Sequence, residues 1–380
     1  MISFLTKIVI FSYLVIMEKK ICIYTIAKNE IKFVDRWVES AKEADYMCVL
    51  DTGSTDGTVE RLKELGVKVE QKKYKNFRFD KARNDSLELI PDDAEICVSV
   101  DMDEFFEKGW AQILKDNWAD NVGRARYRYT WNFNPDGSEG IVFMADKIHK
   151  NKLYKWVNPV HEILVPEKET NLITIDLPQV RLYHKADNSK SRGSYLPLLE
   201  LSIQEDPTND RNMHYLGREY MFHGMYDKAI ETLNRHLKMP SATWKDERSS
   251  SYRFIAFCYK QKSDSEKQEE YLLKSLLEAD HIRESYYELG EFYFEKNDYL
   301  KSAVFFNQML KIDSRYLSYM SAPKCWGSLP YDYLSMCYYY LGDYEKALQN
   351  VNEALKFEKS ERLLSNKSIF EKLYKNKNDI

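Results

Sequence analysis

The chain has 380 residues, a formal net charge of −4, and 31% charged against 44% hydrophobic residues. That length accommodates two domains with separate cores, and the acidic balance excludes a global basic field of the kind that drives non-specific nucleic-acid binding. Six scattered cysteines with no Cys-x-x-Cys pair fit a reducing, cytoplasmic setting better than a disulfide framework.

Residues 1–17 are apolar but interrupted by Lys7, short for a bilayer span, and lack a small-residue cleavage site. They read as a dispensable extension ahead of a start near Met17, with a weak membrane anchor as the alternative. A first domain is expected over 18–188. Strand patterns at 21–26, 46–50, 67–70 and 95–100 alternate with helical patterns at 31–44, 58–65 and 81–89. This alternation predicts βαβ units around a mainly parallel sheet. Beyond 103, aromatic-rich strand patterns at 124–133, 141–149, 162–165 and 172–183 are punctuated by Asn134-Pro135-Asp136-Gly137, a turn sequence.

Residues 189–206 read as a connecting helix, and 207–380 as helical repeats. Met213, Leu216, Gly217, Tyr220, Tyr226 and Ala229 match the tetratricopeptide helix-turn-helix spacing, in which small residues permit close helix packing. Tyr286, Leu289, Gly290, Tyr293, Tyr299 and Ser302 restate it, as do Tyr331, Leu334, Ser335, Tyr338, Tyr344 and Ala347. A degenerate copy runs through Tyr252, Ala256 and Tyr259. An insertion with Pro323, Cys325, Trp326 and Pro330 separates the last two. Stacked helix pairs supply a concave surface for a protein or peptide partner, or a homodimer contact.

Chemistry concentrates at strand ends. Asp101-Met102-Asp103-Glu104 follows the apolar 95–100 run, placing two hard carboxylates at the edge where open α/β sheets bind ligands. Such carboxylates suit Mg²⁺ or Mn²⁺, which share their coordination with substrate phosphates. Asp51-Thr52-Gly53-Ser54-Thr55-Asp56-Gly57-Thr58 ends the second strand, with Thr55 or Asp56 able to cap the next helix. Ala27-Lys28-Asn29-Glu30 follows the first strand, and Phe79-Asp80-Lys81-Ala82-Arg83-Asn84 opens a helix. All converge on one rim.

These four motifs, in this order and at this spacing, resemble the family 2 glycosyltransferases, in particular the branch with a C-terminal tetratricopeptide region similar to bacteriocin peptide S-glycosyltransferases. The resemblance spans residues 20 to about 360. It implies a GT-A α/β domain followed by an all-α tetratricopeptide-like domain. It also implies a nucleotide-diphosphate sugar donor, UDP-linked by analogy, a Mn²⁺ or Mg²⁺ ion, and transfer of a hexose with inversion. By the same resemblance, Lys28, Asn29, Glu30 and Asp51 face the nucleoside and Arg83 with Asn84 lines its pocket. Asp101 faces the ribose or a metal-bound water, and Asp103 ligates the metal. Glu162 of Asn158-Pro159-Val160-His161-Glu162 is the expected general base, with His161 the runner-up and a local hydrogen-bonded pair the plain alternative. His184 is the expected further metal ligand, and Lys185, Lys190 or Arg192 a diphosphate clamp. Arg124, Arg126 and Arg128 line either the acceptor cleft or an exposed strand face, and Trp131 and Trp156 either stack on sugar or pack in the core. The acceptor is left open among protein, peptide and glycan, with nucleic acid disfavoured. A scaffold protein with an inert sugar-nucleotide domain is the reading from another functional class.

Overall fold

The computed structural model describes residues 19–134, 137–186, 195–315 and 317–378. The N-terminal extension and the Lys190 and Arg192 clamp candidates lie outside them. The first half begins β1 (Lys20–Ala27), α1 (Ile31–Ala41), β2 (Tyr46–Asp51), α2 (Thr58–Glu64), β3 (Lys68–Gln71), α3 (Phe79–Leu87) and β4 (Ala94–Ser99). It continues with β5 (Glu104–Phe106), α4 (Trp110–Asn117), β6 (Val122–Thr130), β7 (Val142–Lys150), β8 (Tyr154–Val157), β9 (Ile163–Pro166) and β10 (Ile173–His184). Among the described residues β1–β7 and β10 form an eight-stranded sheet in the order β3-β2-β1-β4-β7-β6-β10-β5, and β8 pairs with β9 alone.

The sheet is mixed, with four of its seven pairings parallel and three antiparallel. Helical crossovers make β1, β2, β3 and β4 parallel neighbours, whereas β7 runs antiparallel to both β4 and β6, and β5 antiparallel to β10. Only β6 and β7 are consecutive antiparallel neighbours in this sheet, joined by the short connection that such a pairing allows, while β10 returns by a longer path to pair with β6 in parallel. Both sheet faces are covered. Ile21 and Ile23 join Trp37, Ile96, Val98 and Leu114 in one core, while the alternate residues Cys22 and Tyr24 join Cys48, Cys97 and Trp156 in another. All six cysteines are buried and free.

The second half is helical: α5 (Tyr195–Glu205), α6 (Asp210–Phe222), α7 (Tyr226–Lys238), α8 (Lys245–Gln261), α9 (Ser265–Glu278), α10 (Arg283–Glu295), α11 (Tyr299–Met309), α12 (Leu329–Tyr340), α13 (Tyr344–Phe357) and α14 (Glu361–Asn378). Helices α6 with α7, α8 with α9, α10 with α11 and α12 with α13 pack as pairs, as the repeat spacing predicts. A Cβ on Gly217 would stand 2.5 Å from Leu233, and one on Gly290 2.7 Å from Phe306, so the small residue sets how closely each pair approaches. No helix among the described residues is long and apolar enough to cross a membrane.

The halves meet at the loop between β8 and β9. Phe79 N–H donates to Pro159 O at 3.0 Å, and Asn209 Nδ2 to Asn158 Oδ1 at 2.9 Å. The His161 ring stacks on Tyr215 of α6 at 3.9 Å, and Val160 lies in the core of the first helices. The insertion after α11 reaches back as well: Arg315 donates to Gly140 O, and Tyr319 meets Phe143 edge-on.

Two consequences are measurable. Gly290→Val should cost about 2 kcal/mol in urea unfolding, because Phe306 cannot withdraw from a fully packed pair. Second, burial pushes the His149 pKa down to about 4, with Tyr24 donating to its Nε2 and its Nδ1–H donating to Lys150 O. Between pH 6.5 and 4 the unfolded chain therefore binds a proton that the folded chain refuses, so stability is lost as pH falls through that window. The thermal midpoint should drop accordingly, by the equivalent of about 3 kcal/mol for this residue, and His149→Gln should flatten the slope. His214, also buried and depressed, contributes in the same sense.

Candidate active site

Strand ends and helix starts bring the polar motifs to the C-terminal edge of β1, β2 and β4. After β2, Asp51 is fully buried and folds its own loop. Its Oδ1 accepts from the N–H groups of Gly53 and Ser54, both at 3.0 Å, and its Oδ2 from the Ser54 hydroxyl. Gly53 and Gly57 take positive φ angles of 117° and 91°, which L side chains rarely adopt. Gly57 is the N-cap of α2, and Asp56, one residue before it, accepts from Thr58 N–H at the start of α2 and from Ile31 N–H at the start of α1, each at 3.1 Å. Asn29, itself left-handed at φ 56°, accepts from Thr55 N–H, and Glu30 N–H donates to Thr58 Oγ1. Lys28 is exposed beside them. The two loops are thus locked to each other as one wall.

Arg83 is the hub of the opposite wall. Only 4% exposed, it donates from Nε to Glu162 Oε1 at 2.5 Å, from Nη2 to Asp101 Oδ1 at 2.7 Å, and from Nη1 to Ser99 Oγ at 3.3 Å. Its guanidinium lies 5.0 Å from the Trp156 ring centre. Asn84 faces elsewhere, holding the main chain of Trp156 by two bonds of 2.8 Å. Trp156 itself is buried and donates to Tyr24 Oη at 3.1 Å, so it is core.

The two aspartates of Asp101-Met102-Asp103 have different surroundings. Asp101 accepts from Arg83 on one oxygen and from Lys147 on the other, at 3.3 Å. Burial would raise its pKa, but the charges of Arg83 and Lys147 outweigh that and hold it well below the usual carboxylate range. Glu104 shapes the turn between them, accepting Asp101 N–H at 2.8 Å and the Tyr129 hydroxyl at 2.7 Å; burial raises its pKa. Asp103 instead faces His184, whose Nε2 lies 3.2 Å from Asp103 Oδ2. Its carbonyl is held by Arg36 Nη2 at 3.1 Å and by Lys185 N–H at 3.0 Å.

The other ring nitrogen of His184, Nδ1, donates to Trp131 O at 2.9 Å, leaving Nε2 aimed at Asp103. Burial disfavours a charge on this imidazole, yet its hydrogen bond to Asp103 more than compensates and lifts its pKa. The Trp131 ring, 37% exposed, stacks over His184 at 4.4 Å. Asp103 and His184 fit the protein half of a divalent-cation site completed by phosphate and water oxygens. Asp101, engaged by two cations, is placed for a different task. Among the described residues no group of three or more His, Cys, Asp or Glu side chains is gathered to hold an ion by itself.

Glu162 and His161 stand side by side but point apart. His161, left-handed at φ 51°, turns its ring into the helical half, while Glu162 turns toward Arg83. The alternating arginines of β6 are committed: Arg124 to Asp146, Arg126 to Asp176 and Arg128 to Glu139. They form a paired strand face. Lys147 and Arg36 were not singled out by sequence; each is one basic residue among many on an amphipathic element, and only the fold brings it to the rim.

Residues 22–185 match the family model described as Glycosyl transferase family 2, and residues 284–316 match a tetratricopeptide repeat model. The match takes in most of the N-terminal half, from β1 to just past β10. Its strand-end motifs fall inside the match, and tetratricopeptide repeats follow it. No curated protein matches the chain. Solved structures similar to it include the Cut9–Hcn1 hetero-tetramer of the APC/C (16% identity, TM-score 0.37), where the match covers 49% of this chain but only 33% of that one. PilF of Pseudomonas aeruginosa is similar at 12% identity over 46% of this chain and 71% of that one, with a TM-score of 0.36. MamA of Desulfovibrio magneticus RS-1 is similar at 14% identity over 44% and 86%, with a TM-score of 0.35.

Proposed function

We propose that this family 2 glycosyltransferase domain transfers a hexose from a UDP-linked sugar, with inversion and with a divalent metal, to an acceptor presented with the help of the helical repeats. The observation that carries the reading is the division of carboxylates along one rim. Asp103 is free to share an ion with His184, Asp101 is tied to two cations, and Glu162 stands at the far end of the Arg83 bridge.

Asp103 and His184 would hold Mn²⁺ or Mg²⁺, which would supply charge to offset the negative charge growing on the departing diphosphate. Asp51 and Asn29 fix the wall that the nucleoside would meet. Lys185, beside His184 on the chain, and Lys147 supply positive charge near the same place. Trp131 offers an exposed ring face beside His184 on which a sugar could stack. On the acceptor side, Glu162 would take the proton from the attacking hydroxyl or thiol. One of its oxygens is anchored to Arg83, and the other has no hydrogen-bond partner among the described residues. His161, turned into the Tyr215 stack, is the poorer base. The repeats favour a polypeptide acceptor, or a second copy of the chain, over a nucleic acid, in keeping with the net charge of −4.

A panel of nucleotide sugars with and without Mn²⁺, read by thermal shift and by release of the nucleoside diphosphate, tests this. UDP-sugars should stabilise the protein in the presence of Mn²⁺, and at least one should be slowly hydrolysed. Neither effect with any donor would leave the inert scaffold as the better account. Asp103→Ala should abolish turnover. Glu162→Gln should lower it by about 100-fold while leaving donor-induced stabilisation in place, because a base contributes to chemistry and not to binding.

A further inference from the structure

Arg83 sits in a stretch whose resemblance places it along the nucleotide, but its geometry gives it other work. We propose that Arg83 is a positioning residue: it orients Glu162 by tying it to Asp101, and does not contact the nucleotide. The proposal rests on the reading of Glu162 as the base and goes beyond it by naming what makes it one.

All three guanidinium nitrogens are spoken for, by Glu162, Asp101 and Ser99, and one face lies against Trp156. At 4% exposure the group is almost wholly enclosed. The planar fork spans two carboxylates from different elements, one after β4 and one before β9, which a point-charge ammonium cannot do. Anchoring Oε1 alone fixes the carboxylate plane and leaves Oε2 as the proton acceptor. The charged groups facing Glu162 are Arg83 on α3, Lys147 on β7, and Asp101 across the bridge. Without Arg83, Glu162 would lose the donor that fixes its direction and the link that ties its loop to the Asp101 turn.

The full-length protein with ¹³C-labelled glutamate carboxylates provides the test, the Glu162 resonance being assigned by its disappearance in Glu162→Gln. In Arg83→Gln that resonance should shift and broaden as the anchor is lost, and kcat for donor hydrolysis should fall by about tenfold or more. Affinity for UDP with Mn²⁺, measured by calorimetry, should stay within about threefold of the wild type. Arg83→Lys keeps the charge but not the fork. It should fall between the two, and it carries the test if the glutamine variant does not fold. An unchanged Glu162 resonance overturns the proposal. So does a loss of UDP affinity of tenfold or more, which would return Arg83 to the nucleotide. If the wild type binds no UDP at all, the donor reading fails, yet the Glu162 resonance still decides the role of Arg83.

Discussion

The buried guanidinium of Arg83 is the constraint around which the catalytic half is arranged. A charge with 4% exposure persists only when paired and hydrogen-bonded, and its partners come from two separate stretches of chain. Ser99 is the last residue of β4, Asp101 opens the turn after it, and Glu162 begins the approach to β9. Satisfying one side chain therefore fixes the tilt of α3, the position of the aspartate turn and the direction of the loop between β8 and β9. Asn84, the next residue, secures the same helix to the main chain of Trp156, so the hub and its mounting are adjacent in sequence.

Around that hub the rim sorts its acids by company. Asp101 has two cations and stays ionised; Glu104 is buried under Tyr129 and shapes the turn; Asp103 keeps an oxygen directed at His184. This sorting explains how several carboxylates share a small region without mutual repulsion unravelling it. Positive partners stand where charge must be structural, and Asp103, whose carboxylate faces a titratable imidazole, is the one proposed to take a metal ion in exchange. Arg36, stacked on Phe105 at 4.8 Å while bonded to Asp103 O, steadies that residue through its backbone and leaves its carboxylate available.

Much of this was legible in the sequence, for reasons that can be stated residue by residue. Strand–helix alternation from β1 to β4 is periodic and bounded by turn residues, and the Asp101 and Asp51 motifs sit at predictable strand ends. The spacing of Gly217, Gly290 and their tyrosines declares the repeats. The elements β5, α4 and β8 were not anticipated from the sequence pattern. Sheet order beyond β4 escaped as well, because pairing depends on which strands meet, and pattern reports only that strands exist. Asn84 and the β6 arginines illustrate the same limit. Their chemistry suits a ligand or a structural bond equally, and only the positions of Trp156, Asp146, Asp176 and Glu139 choose. Lys147 had no local signal at all.

The loop carrying Glu162 has a further bearing on how the molecule comes into being. Asn158 and His161 both hold left-handed backbone, at φ 80° and 51°, a conformation that costs non-glycine residues unless the surroundings impose it. Those surroundings include Asn209 and Tyr215, more than forty residues further along the chain. A nascent polypeptide can close its sheet and its nucleotide wall while α6 is still within the ribosome, but it cannot yet aim Glu162. Domains fold as they emerge, so under the role proposed for Glu162 the site is completed only after the first repeat has been made. An unfinished chain would carry the rim of the site without its proposed base held in place.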